Sequence, residues 1–243
     1  MILRHIAKGL VRRDWGTVFV ELVLVIAGVF MALQVDNWNN ERIARNDEAD
    51  YLNRLIAELE ETRSHNERLI ARTREKIQAL GRAHLALLDG SLNLDSMAAF
   101  ESDFEALDFY PKPKTENSVV SEMITSGKVA VIGDPSVRAA LTGYKNAIDL
   151  MEVNNVGHFE IFLETRGKVH EAVRLRPNQD RTEAIEDSVE ELRRNDALRA
   201  ILSFSREFQS EQLAEIETFH QATVEFHNAI QGYAKAVGSA SGV

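Results

Sequence analysis

The feature that most constrains this chain is an apolar run, WGTVFVELVLVIAGVFMALQV, from Trp15 to Val35. As a helix rising ~1.5 Å per residue it is roughly 30 Å long, the thickness of a bilayer's hydrocarbon core. The chain's two tryptophans, Trp15 and Trp38, bracket it, as expected of indole rings that settle at the two interfaces. Residues 1–14 carry Arg4, Lys8, Arg12 and Arg13 against Asp14 alone, whereas the flank beyond Val35 is mixed and net acidic. The positive-inside bias therefore puts a basic leader, 1–14, in the cytoplasm and everything after the span in the periplasm of a diderm bacterium. A cleaved signal peptide would need small residues after the run, and LQVDNWNNE has none. A buried helix of a soluble protein is the remaining alternative. The expectation is a single-pass, uncleaved inner-membrane anchor at 15–35, with the lipid bilayer as its first partner.

Within the span, Glu21, Val25, Gly28 and Ala32 are spaced by 4, 3 and 4 and so share one helix face. Gly28 and Ala32 form a small-xxx-small pair that lets a second helix approach closely. A carboxyl group in hydrocarbon is costly, so Glu21 is protonated, paired, or drawn toward the headgroups near Trp15; these alternatives stand open. Trp15, Asn37, Trp38 and Asn39 are the expected interfacial anchors.

Past the span the chain reads as long helices. No proline and only Gly81 interrupts the stretch from Asp36 to Asp89, so the span is expected to continue directly into a stalk helix. Leu52, Leu55, Leu59, Thr62, Asn66, Leu69, Thr73, Ile77, Leu80, His84 and Leu87 mark one face by steps of 3 and 4. Thr62, Asn66 and Thr73 weaken this stripe; they either specify register or mark a wetter part of the bundle, and the wetter reading is preferred. Gly90 closes the helix. A short helix is expected near Asp95, an irregular connection at the Pro111-Lys112-Pro113-Lys114 segment, a second short helix over 115–126, and a single extended connector at KVAVI, 128–132. Asp134-Pro135 is a helix start. From it the stripe Val137, Leu141, Tyr144, Ile148, Met151, Asn155, Phe159, Phe162, Arg166, Val169 and Val173 runs toward Pro177. A shorter helical segment over 182–194 precedes a last helix striped by Leu198, Ile201, Ser205, Phe208, Gln212, Ile216, Phe219, Thr223, Phe226, Ile230, Tyr233 and Val237. Three such helices cannot bury their faces alone. The fold class is therefore all-α: the membrane helix and its stalk packed in an antiparallel bundle, 36–237, with short accessory helices and a loose tail, 238–243.

Composition removes several functions. The chain has no cysteine, which excludes disulfide scaffolds, thiolate metal sites and cysteine nucleophiles. The formal net charge is −10, and with the leader basic the deficit lies in the body, which argues against a nucleic-acid partner. There is no phosphate-binding glycine loop around Gly127-Lys128, no G-x-S-x-G and no H-E-x-x-H. Glu217-x-x-His220 has the spacing of a di-iron half-site, but none of the other histidines follows a Glu by three. His220 and His227, seven apart, could face a ligand together; flanking the core is the plainer reading. No catalytic, cofactor or metal residue is assigned.

The anchor and its exit, carried by Glu21, Gly28, Ala32, Gln34, Asn37, Trp38, Asn39, Glu41 and Arg42, resemble an uncharacterised bacterial family with a single N-terminal membrane helix followed by a helical extracytoplasmic domain. SGKVAVIGDPSVRAALTGY, from Ser126 to Tyr144, is similar to the same family's pattern. The resemblance implies a membrane-anchored, mostly helical protein and supplies no catalytic residues.

Two classes of function follow. The first is a non-enzymatic interaction or structural module in the periplasm, which recruits a second copy of itself or another membrane protein. The alternative is a ligand sensor or a proton-coupled accessory subunit using Glu21. An enzyme with an unfamiliar site is a third class that missing motifs do not remove.

Overall fold

A computed structural model describes residues 15–177 and 183–240. The leader, 1–14, and the last residues, 241–243, lie outside the described residues. Helix α1 runs from Trp15 to Leu88, α2 from Met97 to Phe104, α3 from Ser118 to Thr125, α4 from Pro135 to Ala172, α5 from Val189 to Arg193 and α6 from Asp196 to Ala240. Two compact units divide the chain after Tyr51. The first contains the apolar run, helical from Trp15 onward. Among its side chains, Phe19, Leu24, Val25, Phe30 and Met31 have most of their surface exposed.

The second unit, from Leu52, is a bundle of three long helices. Glu60, Glu67 and Arg74 of α1 face His227, His220 and Glu217 of α6, the numbers falling on one helix as they rise on the other. Tyr144 and His158 of α4 face Phe226 and Phe208 of α6 in the same sense. Helices α1 and α4 are therefore both antiparallel to α6 and parallel to each other. The 46 residues between them make the return crossing.

Local chemistry explains most of the boundaries. Gly90, at φ +69°, ends α1 in the left-handed region, and the Leu92 amide turns back to the Ala86 carbonyl at 3.1 Å. Asp134 Oδ1 accepts from the Ser136 amide at 2.7 Å, with Pro135 at the first helical position of α4. Helix α5 opens with a reciprocal capping box between Ser188 and Glu191. The far end of the bundle closes over Leu80, Leu87, Leu92, Phe104, Val169, Leu192 and Leu202.

Several expectations are corrected. Lys128–Val131 is a 3-10 turn rather than an extended connector, because Gly127 at φ +72° reverses the chain and delivers Ile132 into the core. The segment read as helical from 182 begins instead with a strand, Glu183–Ile185, pairing antiparallel with Leu175–Pro177, so that Leu175 and Ile185 cover the core end. Helix α6 continues to Ala240, into the stretch read as tail. The stripe on α4 leaves the core between Asn155 and Arg166. There Phe159 and Phe162 meet the Tyr110 ring, each at 5.3 Å between centroids.

Candidate functional site

The wetter reading of the α1 stripe is also overturned: Thr62, Asn66 and Thr73 are all 0% exposed. They face a polar seam in the middle of the bundle. The amide of Lys114 donates to Asn66 Oδ1 at 3.0 Å, which ties the proline-containing segment to α1. The Lys114 ammonium reaches Glu61, one turn earlier, and holds its carboxyl below the usual range. One more turn back, Glu58 accepts from the Val119 amide at 3.0 Å and from the Ser118 hydroxyl, and so caps α3 from a neighbouring helix. Asn117, at the position before α3, is thereby released from capping. Its Oδ1 accepts instead from the Tyr144 hydroxyl at 3.0 Å. Phe219 and Phe226 stack on the Tyr144 ring, and burial pushes its hydroxyl up to about 12. Register, the other reading of these polar positions, is what the seam fixes.

His220 and His227 each face a glutamate of α1. His227 Nε2 lies 3.5 Å from Glu60 and His220 Nε2 lies 3.9 Å from Glu67, each across the α1–α6 seam. Arg63 sits between the two acids, 2.6 Å from Glu60, whose carboxyl it holds below the usual range. Glu217, the partner in the E-x-x-H spacing, turns to Arg74 at 2.6 Å. Among the described residues no three histidine or acidic side chains are grouped to hold a metal ion. A nearly closed cavity of about 10 Å³ lies among Phe109, Phe162, Ser205, Phe208 and Gln209. That is the space of roughly one water molecule.

Glu21 and Trp15 lie on helix α1, and their side chains are outside the described residues. Gly28 and Ala32 are exposed, and a Cβ on Gly28 would meet nothing within 4 Å. Trp38 is exposed with the Arg42 guanidinium 5.7 Å above its ring, and the same guanidinium donates to Asn39 Oδ1 at 3.3 Å. Asn37 is exposed beside them. Among the described residues one helix, near the N-terminus, is long and apolar enough to cross a membrane.

One surface was not anticipated. On α4 the outer side exposes Val153 (71%), Val156 (65%) and Leu163 (50%), with Leu150 (63%) and Phe159 (46%) at its opposite margins. Beside them Tyr110, Lys112, Asn155, Val156, Phe159 and Glu160 line an open groove of about 350 Å³. The Tyr110 hydroxyl, 2.6 Å from Asn155 Oδ1, fixes the floor. The available signal was the mismatch between one inner stripe and an α4 segment apolar on more than one side.

A model for a family of unknown function, DUF6090, matches residues 21–191. The chain belongs to DUF6090. The matched stretch takes in the apolar run from Glu21, the polar segment and the α4 face, and it ends before α6 with His220 and His227. No curated protein and no solved structure matches the chain.

Proposed function

We propose that this member of DUF6090 is a membrane-anchored interaction module. The 15–35 span holds it in the bacterial inner membrane, N-terminus in the cytoplasm, and the helical bundle stands in the periplasm without enzymatic activity. Its mechanism is positioning: the anchor confines the bundle to the membrane surface, and the bundle offers α4 to another helical protein in the same membrane. Gly28 and Ala32, with Glu21, provide the contact between membrane helices; Trp15, Asn37, Trp38 and Asn39 hold the exit at the interface.

The observation that carries this reading is the α4 face. Val153, Val156 and Leu163 stay half-exposed or more on the outer side of α4, with Leu150 and Phe159 at its margins. Neighbouring exposed apolar side chains of this kind serve as contact sites. The matched family segment contains this face and ends before His220 and His227, which supports weighting the surface above the histidines.

The test is in-cell photocrosslinking from position 153, followed by mild-detergent extraction and mass spectrometry. A reproducible protein neighbour is expected. A protein that is monomeric in membranes and in detergent, with no neighbour captured, overturns the reading.

A further inference from the structure

We propose that the small cavity between α4, α6 and the segment 105–110 is a binding site for one water molecule, which joins Ser205 to Gln209. The bound water completes the joint that holds this segment, and with it Tyr110, against α6. The site is independent of the α4 contact surface and of the membrane span.

Ser205 and Gln209 are one turn apart on α6 and share a face. They are 5% and 4% exposed, and both line the cavity of about 10 Å³ with Phe109, Phe162, Thr165 and Gln212. Neither Ser205 Oγ nor Gln209 Oε1 has a hydrogen-bond partner among the described residues. Buried polar atoms are seldom left so, because an unmade bond there costs more than a made one returns. One water needs roughly 10 to 15 Å³ of such space and two to four polar neighbours. The cavity meets the lower bound of the first and, with Ser205, Gln209 and Gln212 around it, the second.

The direction of the two free atoms follows from what surrounds them. Gln209 Nε2 donates to the Ala106 and Phe109 carbonyls, at 3.2 Å each. Turning the amide over would set its oxygen against those two carbonyl oxygens, so Oε1 is the free end. On the same helix Ser210, Thr218 and Thr223 each donate to the carbonyl four residues back, as helical hydroxyls commonly do. Ser205 makes no such bond, which leaves its hydroxyl for the cavity.

An amide oxygen only accepts, so the occupant must donate to Gln209. A water does this with one O–H while its oxygen accepts from the Ser205 hydroxyl. No charged side chain lines the cavity, so an ion would go uncompensated there. A space of about 10 Å³ admits no larger molecule. Gln209 is the side chain that ties α6 to the carbonyls of Ala106 and Phe109. With both ends of its amide engaged the amide plane is fixed, and Phe109 and the adjacent Tyr110 are held with it.

The test is a crystal structure of the full chain at a resolution that shows ordered waters, with Ser205→Ala measured in solution alongside. A single peak within hydrogen-bond distance of both Ser205 Oγ and Gln209 Oε1 is expected. A cavity without density, or a Ser205 hydroxyl turned onto the Ile201 carbonyl, overturns the proposal. In solution the control is Ser210→Ala, on the exposed side of α6, which carries the same gain in helix propensity. With water bound, Ser205→Ala takes away one of its partners and is expected to melt a few degrees below Ser210→Ala. In a dry cavity the same substitution removes an unpaired buried hydroxyl, so a melting temperature at or above that of Ser210→Ala overturns the proposal. Hydrogen exchange over 106–110 is expected to quicken in Ser205→Ala and not in Ser210→Ala; exchange unchanged in both overturns the joint.

Discussion

The hydroxyl of Tyr144 donates a 3.0 Å hydrogen bond to Oδ1 of Asn117, so that α4 is tied to the segment that leads into α3 from within the bundle. Both residues are buried. Tyr144→Phe keeps the ring stacked on Phe219 and Phe226 and leaves Asn117 Oδ1 without its donor. We expect a loss of about 1 to 2 kcal/mol, measured by urea titration of the protein in detergent. A change within error would show that stacking alone holds the ring.

Alkaline pH tests the same residue by another route. Burial raises the Tyr144 hydroxyl to about 12, against an unfolded value near 10. Between these pH values the unfolded chain has released a proton that the folded chain keeps, so stability is intact below pH 10 and is lost as pH rises toward 12. Two pKa units correspond to roughly 3 kcal/mol. Tyr110, also raised to about 12 by burial, adds to the slope. Melting temperatures of the wild type and Tyr144→Phe between pH 9 and 11 should therefore converge; parallel curves would refute the assignment.

Asn66→Leu separates a polar lock from a merely imperfect apolar stripe. Leucine adds apolar surface at a position with no exposure, yet it removes the acceptor of the Lys114 amide. We expect destabilisation of about 1 to 3 kcal/mol, the cost of a buried amide left unsatisfied. A more stable variant would mean that the amide finds another partner.

How far the sequence discloses this fold can be judged at Asn66. The 3 and 4 spacing places it on the inner face of α1, and the structure agrees; its partner, 48 residues away, has no local signature. The same division recurs elsewhere. Gly90 and Asp134-Pro135 act within a few residues, and both gave their boundaries correctly. Glu58 caps α3 from another helix, and the Leu175–Pro177 hairpin depends on covering a core end that exists only once three helices meet. The α4 face was illegible for a related reason. Phe159 fits the inner stripe by period yet is 46% exposed against Tyr110, while Phe162 touches Tyr110 and still lines the cavity facing α6.

Asp134→Ala should lower the melting temperature by a few degrees, since the start of α4 loses the acceptor for the Ser136 amide. Hydrogen bonds from Ser136 hold the Asp134 carboxyl below the ordinary range. Its contribution is therefore present above about pH 4 and lost as pH falls below that. Thermal melts at pH 7 and pH 3 should show a larger difference between variant and wild type at the higher pH.

In the apolar run proposed to cross the membrane, Gly28→Leu should reduce association recovered by crosslinking several-fold, because a bulky side chain separates backbones that a small residue lets approach. Glu21→Gln, assayed alongside, keeps the size of the side chain and removes its charge. Unchanged association and phenotype would retire the proton-coupled alternative; a lost phenotype with association intact would favour it over positioning.

The pairing of Arg74 with Glu217 joins residues 143 positions apart. At ~5 to 20 residues per second, a ribosome needs on the order of 10 to 30 s to make the intervening chain. Throughout that interval α1 has left the translation machinery while the helix that covers its inner face has not been synthesised. Polar groups at Thr62, Asn66 and Thr73 break what would otherwise be an unbroken apolar strip on the waiting segment. The interruption that fixes register in the finished bundle thus also keeps the nascent chain from offering a long sticky surface to its neighbours while it waits.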